Sequence, residues 1–148
     1  MIRSLAVGAA VLLGGGGSLL LPQSGGPGPA TLAEAADDAR EAWERRDLRR
    51  LIGAAAGNRL LVSVPTSSAS APVPPEQATA ILTTYVQGTE EVSVTVQAAT
   101  QVDSTRGYVR LERRYRLVGV PADRSATILL GYRKGRDSWV LTEIRVGP

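Results

Sequence analysis

The chain has 148 residues, enough for one domain, with 43% hydrophobic side chains and a formal net charge of +3. It contains no histidine and no cysteine. This excludes His-based general-base catalysis, His-containing triads, the usual zinc sites, thiol nucleophiles, iron–sulfur ligation and disulfides.

The first predicted segment spans residues 1–30. Arg3, the apolar run Leu5–Leu21 and the exit "PQSGGPGPA" form a secretory signal peptide and low-complexity linker, with cleavage near Gly28-Pro29-Ala30. The alternative is an uncleaved anchor. The run falls short of the roughly 20 apolar residues that a bilayer requires, and its four consecutive glycines weaken it as a helix. The expectation is an exported protein, periplasmic or extracellular, with no stable membrane span after cleavage. With no cysteine to acylate, it is not a lipoprotein.

Residues 31–148 read as one domain. Thr31 is placed to N-cap a helix, with Glu34 completing a capping box. Leu32, Ala35, Ala36, Ala39, Ala42 and Trp43 recur at helical spacing. The pattern resets at Asp47, which caps a second short helix carrying Leu48, Leu51 and Ile52. "NRLLVSV" (Asn58–Val64) is a strand stopped by Pro65, and "TSSASAPVP" is a connection. Pro75 opens the next helix and Gly88 follows its end; Ala78, Ile81, Leu82, Tyr85 and Val86 form its buried face. Four strands then follow, joined by the short turns "DSTRG", "PADRS" and "KGRD". In the first of these, Val92, Val94, Val96 and Ala98 alternate with polar residues. The layout is α+β: a curved four- to five-stranded antiparallel sheet with the N-terminal helices packed on one face.

"AWERRDLRRLIGAAAGNRLLVSV" resembles the opening of the nuclear transport factor 2-like (cystatin-like, cone-shaped) superfamily. "KGRDSWVLTEIRV" is similar to its final hairpin, where a Trp begins the closing strand, and "QATAILTTYVQG" resembles a family of exported single-domain proteins of unknown function. The likeness covers essentially the whole of residues 31–148. It implies the cone-shaped fold and, by analogy, a homodimer through the open sheet face. It leaves activity open, because this fold hosts isomerases, dehydratases, hydrolases, transport adaptors and binding modules. One departure is Arg46, where the family usually has Gly before Asp47. Another concerns chemistry: enzymes of this fold place an Asp, often with His or Tyr, inside the cone.

No such Asp is evident. Asp37 and Asp38 fall on the exposed face of the first helix, Asp47 is a cap, and Asp103, Asp123 and Asp137 occupy strand-connecting turns. Glu112 and Glu143 are the mid-strand carboxylates. Alternation turns Glu112 to solvent and puts Glu143 on the face of Trp139 and Leu141, where it is either a base of raised pKa or an Arg-paired sheet residue. Arg113 falls in the inner row of Val109, Leu111, Tyr115 and Leu117. It is either a cation inside the cone that holds a ligand carboxylate, or half of a bulge at Arg113-Arg114 that turns both outward. The doubled charge favours the bulge. Tyr85, Tyr115 and Tyr132 either line a pocket or belong to the core.

The arginine cluster Arg45, Arg46, Arg49 and Arg50 does not form a nucleic-acid face. Over residues 31–53 five arginines are outnumbered by six acids, and a binding patch needs clustered cations with few acids nearby. Residues 101–148 are more basic, with ten cationic side chains against five acidic ones, which suits at most an anionic envelope surface or polymer. The sequence therefore predicts an exported, non-catalytic domain binding a small ligand or a protein partner, with no metal, cofactor or nucleic acid. The competing expectation is a small isomerase or hydrolase-like enzyme using Glu143 with a Tyr or Arg113. The ligand-pocket candidates are Arg113, Tyr115, Tyr132, Glu143 and Tyr85.

Overall fold

The computed structural model describes residues 28–68 and 70–148, so residues 1–27 of the expected leader lie outside the described residues. Thr31 opens α1 (Leu32–Glu44), its hydroxyl accepting from Glu34 N at 3.1 Å. The Glu34 carboxylate reaches back to Ala30 N at 3.0 Å, so the box closes one residue further upstream than expected. Asp47 caps α2 (Leu48–Gly53) by accepting from Arg50 N at 3.1 Å. Between the two helices the chain turns through Arg46 at φ +58°. Asp47 N returns to Ala42 O and Arg46 N to Trp43 O, at 2.8 and 2.9 Å, a C-terminal motif that normally carries glycine at the left-handed position. Two surface pairs at four-residue spacing brace α1: Arg40 with Glu44 at 3.1 Å and Arg45 with Glu41 at 3.2 Å.

The remaining elements are β1 (Leu61–Val64), β2 (Ser67–Ser68), α3 (Pro75–Val86), β3 (Thr89–Gln101), β4 (Arg106–Leu117), β5 (Arg124–Lys134) and β6 (Trp139–Gly147). They form one sheet of order β2-β1-β6-β5-β4-β3. The three hairpins from β3 to β6 are antiparallel as expected. β1 differs: it runs parallel to β6, and β2 adds a two-residue edge. β1 and β6 come from opposite ends of the domain and share no hairpin, so no local turn chemistry fixes their relative direction.

The helices cover the inner face. α1 lies over β3 and β4, while α3 packs on α2 and β1. The buried side of α1 is largely alanine, Ala35, Ala36, Ala39 and Ala42, and small side chains let a helix lie close to a sheet. The approach is tightest at Gly107, where a Cβ would stand 2.6 Å from Leu32 Cδ2. Leu82, Val94, Val109, Leu111, Ile128, Leu130, Leu141 and Ile144 fill most of the space between the layers.

Three bulges interrupt the alternation. Val92 and Gln97 are extra residues in β3, since Glu91 pairs Tyr115 while Ser93 pairs Arg114, and Val96 pairs Leu111 while Ala98 pairs Arg110. Thr142 is extra in β6, where Leu141 pairs Tyr132 and Glu143 pairs Gly131. Each bulge exchanges the inward and outward sets of residues on one side of it. Val92 is accordingly 41% exposed while Val94 is buried, so the alternation of Val92 with Val94 does not put both on one face.

Candidate functional site

β4 keeps strict alternation through Arg113 and Arg114, with no register shift against β5. The expected bulge there does not form, and Arg113 points inward at 0% exposure. An isolated buried guanidinium is costly unless it is paired and hydrogen-bonded. The pairing comes from Glu91, which the Val92 bulge swings to the inner face. Arg113 Nε donates to Glu91 Oε1 at 2.7 Å and to Oε2 at 3.0 Å, and Arg113 Nη2 lies 2.7 Å from Oε1. Nη2 also donates to Thr89 Oγ1 at 2.7 Å.

Three rings surround the cation. The Arg113 Cζ stands 4.1 Å from the Tyr115 ring centre, 5.2 Å from Tyr85 and 5.9 Å from Trp43, all within cation–π range. Burial raises the pKa of Tyr85, and the positive charge of Arg113 opposes that shift. From the rim, Arg46 Nη2 donates to Thr89 Oγ1 at 2.6 Å and to the Thr89 carbonyl, and stands 3.9 Å from Glu91. This contact explains an arginine at a left-handed position that favours glycine. Arg113 Nη1 and Trp43 Nε1 have no hydrogen-bond partner among the described residues. The predicted trio Arg113, Tyr115 and Tyr85 thus comes together, and the chain's own arginine occupies the box it forms.

Tyr132 lies elsewhere. It faces Gly107 across the β4–β5 ladder, whereas Arg113 faces Ala126, which separates the two by six residues of strand, about 20 Å. There the α1–sheet interface opens into a cavity of about 140 Å³. Ala35 and Ala39 of α1, Leu51 and Ala54 of α2 and its exit, Pro29 and Tyr132 wall it. Tyr132 is 3% exposed, and its hydroxyl makes no hydrogen bond among the described residues. Its pKa is pushed well above the ordinary value by burial, with the negative charge of Asp38 adding to the effect.

Asp38 and Arg50 stand at the mouth of this cavity. The Asp38 side chain is 60% exposed, and its Oδ1 is 4.0 Å from Arg50 Nη2. Partial burial raises the Asp38 pKa; Arg50 opposes this, while Asp37, Glu41 and Glu34 reinforce it.

The last candidate, Glu143, belongs to neither place. The Thr142 bulge moves it off the face of Trp139 and Leu141 to the outer face, where it pairs with Arg145. The constellation of Glu143 with Arg113 or a Tyr inside the cone therefore does not form. Sequence reasoning missed Glu91, Thr89 and Arg46 around Arg113, and it placed Asp38 on a featureless exposed face. Asp103 does take the turn role expected of it, accepting from Thr105 N at 2.8 Å and Arg106 N at 2.9 Å. No cluster of three or more Asp or Glu side chains suited to a metal ion occurs among the described residues.

No family model matches the chain, and no curated protein matches it. Solved structures do. A protein of ketosteroid isomerase-like fold from Catenulispora acidiphila, solved in complex with trimethylamine, is 15% identical over 80% of this chain and 87% of its own, at a TM-score of 0.61. A nuclear transport factor 2-like protein of unknown function from Shewanella oneidensis is 15% identical, covering 79% of this chain and 96% of its own at 0.54. A domain of unknown function with a cystatin-like fold from Nostoc punctiforme is 16% identical, covering 76% and 72% at 0.58. At these identities the likeness shows the fold, and the chain has the cystatin-like, nuclear transport factor 2-like cone that its sequence resembles.

Proposed function

We propose that this chain is an exported, non-catalytic binding domain that holds one small molecule in the cavity between α1, α2 and Tyr132. The observation behind this is a walled space of about 140 Å³ in which alanines stand where larger side chains would fill the gap. An apolar cavity of about 150 Å³ is large enough for a benzene-sized guest. The trimethylamine held by the Catenulispora protein is a guest of similarly small size in the same fold.

Binding rather than catalysis is supported by the fate of the carboxylates. Glu143 is on the outer face, and Glu91 is committed to Arg113. Asp38 is largely exposed and paired with Arg50, a charge at the entrance rather than a desolvated base. Export rests on the sequence pattern of residues 1–30, and N-terminal sequencing of the protein recovered from its envelope reads it directly.

The test is a backbone NMR titration with neutral branched alcohols and amines of about four to six non-hydrogen atoms. Shifts are expected around Ala39, Ala54 and Tyr132. Ala54→Leu should abolish them while leaving the melting temperature unchanged or raised, because Ala54 is only partly buried and the new side chain extends into open space. Absence of such shifts, or binding that survives Ala54→Leu, would rule out this site.

A further inference from the structure

We infer that the guest of this cavity is a small organic cation, a protonated amine with a compact apolar body whose ammonium sits between the Asp38 carboxylate and the Tyr132 hydroxyl. This class rests on the cavity assignment above and adds the sign of the charge to it.

Two features of the cavity bear on its guest. The first is Tyr132, which lines the cavity and whose hydroxyl has no hydrogen-bond partner among the described residues. It offers a polar guest one contact and can accept from an ammonium N–H, while the sign of the guest's charge is set by the second feature. The second, which discriminates a cation from an anion, is the charge at the mouth. Asp38, Asp37, Glu41 and Glu34 all act on the same spot of α1. Against them stand Arg50, shared between Asp38 at 4.0 Å and Glu41 at 3.5 Å, and Arg40, held by Asp37 at 3.2 Å and Glu44 at 3.1 Å. Arg45 is likewise tied to Glu41.

An anion entering here would meet this carboxylate excess, and Arg50 would have to leave both acids to receive it. A cation meets Asp38 directly. The Asp38–Arg50 contact is long, and the Arg50 side chain is 42% exposed, so an incoming ammonium can displace it into water at little cost. The body of the guest is limited by the alanine walls and the volume to about six non-hydrogen atoms.

The experiment uses the full domain and three probes of one branched shape: isobutylamine, isobutanol and isobutyrate, which carry positive, zero and negative charge at neutral pH. Dissociation constants come from NMR titration at low salt. The amine is expected to bind at least about five-fold tighter than the alcohol, with the carboxylate weakest. Asp38→Asn should remove that advantage without weakening the alcohol. Arg50→Gln, which frees Asp38, should strengthen amine binding. Salt at about 0.2 M should weaken the amine alone.

Equal binding of amine and alcohol at Tyr132 would overturn the cation assignment and leave the cavity assignment standing. Tightest binding of isobutyrate would overturn it in favour of Arg50 as the recognising group. If none of the three shifts the cavity residues in either the parent or Asp38→Asn, both assignments fail.

Discussion

Replacing Glu91 with leucine removes the counter-charge from a guanidinium that has no access to water. Arg113 is 0% exposed, and the Glu91 side chain is 7% exposed, so the pair lies in the regime where deleting one partner costs about 3–5 kcal/mol. The three rings around Arg113 recover part of that loss but supply no acceptor. The reverse change, Arg113→Met, leaves Glu91 with Arg46 still 3.9 Å away. Because a second cation remains, the expected cost is smaller, roughly 2–3 kcal/mol. In the double variant neither charge is buried alone, and two apolar side chains take the space. Its cost should fall below the sum of the singles by about 2 kcal/mol or more. Urea unfolding of the four proteins, followed by circular dichroism and by the fluorescence of Trp43 and Trp139, gives the cycle. Additivity within about 0.5 kcal/mol would show that Glu91 and Arg113 are not a coupled buried pair and would refute the reasoning. So would an Arg113→Met variant as stable as the parent.

Two further outcomes follow from the geometry. Arg46→Gly and Arg46→Ala both lose the bonds to Thr89, but only glycine relaxes the backbone at φ +58°. The glycine variant should therefore be about 1 kcal/mol more stable than the alanine variant in urea unfolding, and equal stabilities would deny the strain. Asp103 is held at a pKa of about 2, first by the Thr105 N–H and then by Arg106. A depressed folded pKa gives stability that is complete above the ordinary carboxylate value and is lost as pH falls towards 2. Carboxyl NMR titration should place its midpoint there, and Asp103→Asn should flatten the dependence of stability on pH between about 4 and 2.

The sequence shows the elements more clearly than the directions of their side chains. Thr31, Asp47, Pro75 and Gly88 punctuate the helices by local chemistry, and the alternation in β4 puts Arg113 in the inner row. What strict alternation could not reveal were the bulges. A doubled arginine suggested one in β4, whereas they lie at Val92, Gln97 and Thr142, next to residues of no unusual type. One of them brings Glu91 to Arg113, and another removes Glu143 from the cone. A bulge is fixed by cross-strand register and by what needs pairing on the other strand, neither of which is encoded at the bulged residue itself. Asp38 was overlooked for a similar reason. It is exposed, as its helix position predicts, but it is exposed at the edge of a gap that exists only where three alanines and a tyrosine meet.

The two bulges in β3 also bear on how this molecule keeps apart from its neighbours. β3 is a 13-residue strand at one border of the sheet, and β2, at the other border, has two residues. A long straight border strand is a template on which another chain can add hydrogen bonds and start aggregation. In β3 the extra residues break the repeat of N–H and C=O groups near one third and two thirds of its length, and the opposite border is too short to seed a ladder. Strand-by-strand growth is therefore disfavoured at both borders of the described sheet.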